Sequence, residues 1–258
     1  MLIGIAGITG RMGHLLTEEA HAAGHVIVGG SIHRGSAPPS IPALSIPALS
    51  MADLADAADI VVDFTHASTA AHHAGILAAA GTAWVLGTSG LSAADEAAVD
   101  AAAVKIPLVY AANFGPGINL LLALARQLGA ALPAEQYDAE ILEMHHRQKV
   151  DAPSGTAIAI GRAVAAGRGV PLEQVMQSGR DGHTGPRPPG AIGFAALRGG
   201  QVVGEHTLLF AASGEQISLS HRAIDRRAFA AGAIRAAEWL QGRPPGRYAM
   251  TDVMGLPS

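Results

Sequence analysis

The chain has 258 residues, of which 49% are hydrophobic, with a formal net charge of −4 and no cysteine. This length supports one large core or two modest ones, and the mild acidity excludes a global field for nucleic acid or an anionic membrane. Without cysteine there are no disulfides, thiolate metal sites or cysteine nucleophiles, which fits a reducing cytoplasm.

The chain starts in a buried-strand pattern, Leu2–Ala6, with no basic leader before it. Ala-rich runs such as Ala93–Val104 are broken by Asp and Glu, so no membrane span is expected. The first strand leads into Gly7-Ile8-Thr9-Gly10-Arg11-Met12-Gly13 and an amphipathic run through Ala22. A strand, a glycine turn and a helix form the context in which backbone N–H groups cradle a pyrophosphate. The spacing Gly-x-x-Gly-x-x-Gly is looser than the commonest dinucleotide pattern, and taken alone a simple tight turn reads equally well.

Compact apolar runs then recur at Val26–Ser31, Ile60–Phe64, Ala83–Leu86 and Leu108–Ala112, with helices expected over Ser68–Ala80 and Ala93–Ala103, the latter capped by Ser92. Between them, Gly35–Ser50 repeats Ile-Pro-Ala-Leu-Ser at 41–45 and 46–50 and reads as a proline-rich loop, the duplication being drift. The pattern predicts a doubly wound parallel sheet whose ligand crevice lies at the carboxyl ends of the strands. Those ends are the Gly7 turn, His33-Arg34, Thr65-His66, Gly87-Thr88-Ser89-Gly90 and Asn113-Phe114. An acid at the end of the second strand grips a ribose hydroxyl, whereas a cation accommodates a 2′-phosphate. Arg34 has no acid beside it, so NADPH is the expected reductant, with NADH use left open.

An apolar helix over Gly117–Leu132 precedes a strand at Tyr137–Met144, then a loop, then a helix from Thr156 to Ala166. Residues 144–156, Met-His-His-Arg-Gln-Lys-Val-Asp-Ala-Pro-Ser-Gly-Thr, place two imidazoles, a guanidinium and an ammonium before a helix start. Cations, a titratable pair and an anion-ready helix end suit a small, negatively charged substrate that must be held and given a proton. Strand-like runs at Ile192–Arg198, Val202–Ala212 and Gln216–His221, with short turns, predict an antiparallel or mixed sheet. Ser178–Gly190 reads as a loop, and the roles of Arg147, His183 and Arg187 stay open. An amphipathic helix over Asp225–Gln241, with Phe229, Ile234 and Trp239 on its apolar face, is expected to pack back on the first domain. The fold class is therefore α/β: a Rossmann-like doubly wound parallel sheet plus a second α+β domain with a mixed or antiparallel sheet.

The chain resembles the 4-hydroxy-tetrahydrodipicolinate reductase family of the diaminopimelate route to lysine. The resemblance is carried by Gly7–Gly13, Val62-Asp63-Phe64-Thr65, Gly87–Gly90, Ala111-Ala112-Asn113-Phe114, Glu143–Thr156, Gly182–Gly185, Val203–Thr207 and Asp252-Val253. It implies a dinucleotide domain over 1–115 completed by 225–258, a substrate and oligomerisation domain over 116–224, and a homotetramer built through the second sheets. It further implies His145 as proton donor and acceptor, Lys149 as proton donor, and His146, Gly155 and Thr156 as substrate contacts. Gly7, Ile8, Thr9, Gly10, Arg11, Met12, His33, Arg34, Gly87, Thr88, Ser89, Ala111, Ala112, Asn113 and Phe114 would contact the cofactor. Three departures stand out. His33 replaces a common acid, Ser89 replaces a common Thr, and Gly115-Pro116-Gly117 replaces a Ser-containing turn and stiffens the connection.

Other histidines are expected to be inert: His72 and His73 on a solvent face, and His14, His21 and His25 around the first helix. No pair has the spacing of a zinc site, so no metal is expected. Two other classes remain. One is a different NAD(P)-dependent reductase or amino-acid dehydrogenase, which substrate turnover would distinguish. The other is a non-catalytic dinucleotide sensor, which would not need His145 and Lys149 beside Gly155-Thr156.

Overall fold

A computed structural model describes residues 1–32 and 46–256, which divide into one unit of Met1–Pro116 with Arg226–Leu256 and another of Gly117–Asp225. In the first unit, β1 (Leu2–Ala6), β2 (Val26–Ser31), β3 (Ile60–Asp63), β4 (Ala83–Leu86), β5 (Pro107–Tyr110) and the late β11 (Gly246–Tyr248) form one sheet. Its order is β11-β5-β4-β3-β1-β2 and every pairing is parallel. Such strands are covered on both faces, which is why β3 is buried at all four positions. One layer holds α1 (Arg11–Ala22) and α8 (Arg227–Leu240), which pack against each other around Leu16, Ala233, Ile234 and Ala237. The other holds α2 (Met51–Ala57), α3 (Ala67–Ala80) and α4 (Ala93–Ala103) around Leu54, Leu77, Trp84 and Val99.

The return of α8 to the first sheet is as its apolar face predicts, with Ile234 and Leu240 buried among alanines and Gly232, while Phe229 and Trp239 stay partly exposed. Helix α2 lies just beyond the proline-rich stretch and was not expected. Ser50 caps it by accepting the Asp53 N–H at 3.1 Å, and seven residues are too few for a clear helical period. The elements α9 (Met250–Met254) and β11 were unforeseen for the same reason of length.

In the second unit, α5 (Pro116–Ala131) and α6 (Gly155–Gly167) cover one face of a five-stranded sheet in the order β10-β9-β6-β8-β7. The strands are β6 (Asp138–His145), β7 (Met176–Ser178), β8 (Ile192–Arg198), β9 (Gly204–Ala211) and β10 (Gln216–Ala223), and the short α7 (Leu172–Val175) precedes β7. Pairings of β6 with β8 and of β7 with β8 are parallel, and β9 runs antiparallel to both β6 and β10. Burial alternates along β6 and β9, as a sheet with one covered face requires. The covered row of β6 reads Ala139, Ile141, Glu143, His145, so its chemistry changes from apolar to ionisable toward the strand end.

Candidate active site

In the first unit, Gly7 follows β1 at φ +71°, a left-handed conformation that glycine adopts without strain. A Cβ on Gly13 would sit 2.4 Å from the carbonyl oxygens of Gly7 and Ile8, so α1 approaches the turn as closely as a backbone can. Gly10 is the N-cap, no side chain caps the helix, and no acid lies in its first turn. Its first N–H groups therefore face outward with the positive end of the helix dipole. Ile8 is buried, Thr9 and Met12 are half-buried, and Arg11 is exposed.

Of the expected cofactor contacts, Arg11, Met12, Gly87, Ala112, Asn113 and Phe114 line one cavity of about 260 Å³, together with Phe64, Arg226 and Phe229. Thr88 is buried and donates from Oγ1 to the Thr65 carbonyl at 3.3 Å, whereas Ser89 is exposed. Asn113 accepts the Gly115 N–H at 2.8 Å, and Ala111 N donates to the Leu86 carbonyl at 3.1 Å, which fixes the exit of β5. His33 and Arg34 lie outside the described residues. The cavity opens at the carboxyl ends of the parallel strands, where such sheets take their ligands. A hollow of about 380 Å³ lies at the opposite, amino-terminal ends, beside Asp59, Ile60, Ala83 and Pro107. It lacks the glycine turn and the outward N–H groups.

One expectation in this unit is overturned. His73 does not face solvent: it is 7% exposed, and its Nδ1 lies 2.7 Å from Oδ2 of the fully buried Asp63. The Asp63 Oδ1 atom accepts from Thr65 N at 3.0 Å and Thr65 Oγ1 at 2.6 Å. A buried carboxylate at a strand end needs such partners, and the first turns of α3 supply the imidazole.

In the second unit, Glu143 is 1% exposed and His145 8% exposed on the covered face of β6. Oε2 of Glu143 is 2.6 Å from His145 Nδ1 and 2.8 Å from Arg198 Nη1. Oε1 accepts from Arg198 Nη2 at 2.8 Å and from Ser154 N at 3.1 Å. Burial by itself would raise the Glu143 carboxyl, but the hydrogen bonds from Arg198, His145 and Ser154 outweigh it and hold the pKa below the usual carboxylate range. His145 is pushed below the ordinary histidine value, first by burial and then by Lys149 and Arg198, against the opposing pull of Glu143. Its Nε2 makes no hydrogen bond among the described residues. Gly204 leaves room there, because a Cβ at that position would come within 3.0 Å of Nε2.

Beyond β6 the loop carries Lys149, whose Nζ pairs with Asp151 at 2.8 Å, and it ends at Ser154. Ser154 caps α6 by accepting the Ala157 N–H at 3.1 Å, so the N–H groups of Gly155 and Thr156 begin the helix. His146 is half-buried with a buried Nδ1 that has no partner among the described residues, and Arg147 is exposed. Arg187 is a structural clamp: it bonds Glu140 and Asp138 at 2.7 Å each and the carbonyls of Ala139 and Ala191. Among the described residues no group of three or more His, Asp or Glu is placed to hold a metal ion.

Glu143, Arg198, Ser154 and His206 were missed from the sequence. His206 is 4% exposed, bonds Ser154 Oγ through Nε2 at 3.1 Å, and meets His145 edge-on at 5.1 Å between ring centroids. Burial, reinforced by His145, lowers its pKa to about 4. The alternation of β6 and β9 was the available signal. It puts Glu143 and His206 on the core face, where an ionisable group needs a partner.

A parallel sheet with a glycine turn, joined in one chain to a second sheet carrying an oriented imidazole and an ammonium, defines a two-domain nicotinamide-dependent oxidoreductase. Family models described as dihydrodipicolinate reductase match residues 1–114 (N-terminus) and 117–254 (C-terminus). The chain belongs to the dihydrodipicolinate reductase family. It is 64% identical over 255 residues to the 4-hydroxy-tetrahydrodipicolinate reductase of Granulibacter bethesdensis, covering 98% of this chain and 97% of that one. Identity to the enzyme of the same name from Acidiphilium cryptum is 60%, over 98% and 97% of the two chains. Among solved structures, dipicolinate-bound dihydrodipicolinate reductase from Paenisporosarcina sp. TG-14 superposes with a TM-score of 0.78 at 22% identity, over 98% of each chain, which shows the shared fold.

Proposed function

We propose that this reductase converts 4-hydroxy-tetrahydrodipicolinate to tetrahydrodipicolinate in the cytoplasm, with NADPH preferred over NADH. The observation that carries the proton chemistry is the imidazole of His145, tied at Nδ1 to a buried carboxylate and unbonded at Nε2. Reduced nicotinamide, when bound, would supply a hydride to the substrate ring, and with one added proton the ring hydroxyl would leave as water. The glycine turn fits the dinucleotide, since a Cβ on Gly13 would fill the space beside the turn and the first N–H groups of α1 are uncapped. Gly7, Ile8, Thr9, Gly10, Arg11 and Met12 would hold the pyrophosphate, and Gly87–Ser89 with Ala111–Phe114 would flank the nicotinamide half.

The chain's own work is to bind two carboxylates and move a proton. The N–H groups of Gly155 and Thr156, with the Thr156 hydroxyl, bind one carboxylate at the start of α6. His146 contacts the substrate, and Lys149 supplies a compact charge and a donor at the ring. His145 exchanges a proton through Nε2: neutral before substrate arrives, it gains affinity for a proton beside a dianion. Residues 1–115 with 225–258 serve the dinucleotide, and 116–224 serve substrate and assembly. The uncovered face of the second sheet, where Leu142 and Leu197 are 45% and 49% exposed, supports a homotetramer joined through that face.

Steady-state kinetics of His145→Ala and Lys149→Ala test the roles. Acid–base groups contribute roughly 10²–10⁴-fold, so turnover should fall by that range while dinucleotide affinity holds. A loss under about tenfold in both would contradict them. Arg34→Ala should raise KM for NADPH and leave NADH unaffected. An unchanged preference would remove Arg34 from the cofactor site.

A further inference from the structure

Glu143 makes four contacts, and three of them come from groups that only donate: two guanidinium N–H groups of Arg198 and the Ser154 backbone N–H. The fourth, at 2.6 Å to His145 Nδ1, can hold its proton on either side. With the proton on Nδ1, Glu143 is an anion and Nε2 carries a lone pair that accepts and passes on a proton. If the pair takes up a second proton from solvent, Glu143 can hold one as the neutral acid while Nδ1 becomes the acceptor; Nε2 then carries the other as a fixed N–H, and the ring has no free lone pair. A carboxyl group with 1% exposure would ordinarily drift toward the neutral form. The bidentate arginine prevents this, because a guanidinium fork matches a carboxylate and gains little from a neutral acid.

We propose that Arg198 is a positioning residue of the reductase: by forking onto Glu143 it keeps the carboxylate ionised, so that the Glu143–His145 pair holds a single proton, on Nδ1, takes up no second one from solvent, and leaves Nε2 of His145 open for the substrate. This rests on the role of His145 proposed above. The same guanidinium also donates through Nη2 to the carbonyl of Asp151, the residue that pairs with Lys149 at 2.8 Å. Arg198 thus ties the strand end that carries His145 to the loop that carries Lys149. Both proton-handling side chains are referred to one planar group on β8, a strand that carries no other ionisable side chain.

The charged and titratable groups facing His145 are Glu143 on its own strand, Arg198 on β8, His206 on β9, and Lys149 with Asp151 in the loop. Arg198 and Lys149 disfavour a second proton on the ring, and Glu143 favours it. Removing Arg198 and neutralising Glu143 must therefore displace the His145 limb of the pH–rate profile in opposite directions.

The experiment uses full-length protein with ¹⁵N-labelled histidine. In the parent, imidazole ¹⁵N shifts should report His145 as the Nδ1–H tautomer. An Nε2–H tautomer there overturns the proposal whatever the variants do. Arg198→Met should lower kcat by roughly 10²–10⁴-fold, the scale of a lost acid–base group or a wrong tautomer. It should also shift the tautomer toward Nε2–H and move the limb to higher pH. Glu143→Gln should move the limb to lower pH, and Arg198→Lys, a single-point donor, should recover part of kcat. Displacement of both limbs in one direction, or a parent-like tautomer in folded Arg198→Met, overturns the proposal. A parallel His145→Gln variant that keeps full turnover would instead overturn the role of His145 itself, so the two failures are separable.

Discussion

Each unit buries one carboxylate–histidine pair with nearly the same bond: Asp63 to His73 at 2.7 Å and Glu143 to His145 at 2.6 Å, both through Nδ1. The remaining partners of each carboxylate differ. Those of Asp63 are the amide and hydroxyl of Thr65, two residues away, so the pair closes the turn after β3 onto α3. Those of Glu143 come from a different strand and from the cap of α6, so the pair links three separated segments. His145 also lies beside a second buried imidazole and within the field of Lys149, whereas the ring beside His73 is that of exposed His72, 6.1 Å away. A buried carboxylate–imidazole bond is thus a stabilising device by default. In the role proposed for His145 it becomes a proton-handling device, because other cations commit the carboxylate and the far ring nitrogen stays open.

Substitution of each histidine gives the sharpest contrast. His145→Ala should lose roughly 10²–10⁴-fold in kcat, while His73→Leu should leave turnover per folded molecule unchanged. His73→Leu should instead cost about 1–3 kcal/mol in urea unfolding, the scale for leaving a buried acceptor without its hydrogen bond. Equal kinetic damage at both positions would erase the distinction drawn here.

A smaller effect should appear in stability against pH. His206 has a folded pKa of about 4 against an ordinary histidine value near 6.5. Between those values the unfolded chain holds a proton that the folded chain refuses, so stability falls as pH drops from 6.5 toward 4 and is fully present above 6.5. The slope approaches about 1.4 kcal/mol per pH unit for one such group. His145 and His221, both lowered first by burial, act in the same direction. Chemical denaturation at several pH values should show a flatter profile for His206→Phe than for the parent. An identical slope would place the acid sensitivity elsewhere.

The smallest effect is expected where an ion pair has no histidine and ample solvent. Arg222 and Glu205 meet at 2.9 Å between β10 and β9, with side chains 69% and 33% exposed. Arg222→Ala should change stability by less than about 1 kcal/mol, and less again in high salt. A larger loss, growing with protein concentration, would indicate that this face is covered by another copy of the chain.

Much of the fold was legible because the signals were local. The runs Val26–Ser31 and Ala83–Leu86 match their strands residue for residue, and Ser92 caps α4 through a reciprocal bond with Asp95. The second sheet was read as antiparallel or mixed, and it is mixed. Its parallel β6–β8 pairing joins strands separated in the chain by α6, α7 and β7, which no turn residue announces. Short α2, α7 and α9 hold too few turns to show a period. In the site, the basic stretch after Met144 stood out by composition. Glu143 and His206 did not, since a lone acid or histidine in a strand reads as an outward-facing residue until its face is known.

The sequence alone marked the glycine turn, the Ser92 cap and the cluster of His and Lys after Met144, because each is written in neighbouring positions. The tertiary structure decided how those groups are charged and aimed. Arg198 is 55 residues from Glu143 in the chain and reaches it only because β8 lies beside β6. The protonation of a buried pair depends on every dipole and charge within a few ångströms, and strand pairing, which brings distant segments together, is what sets that list.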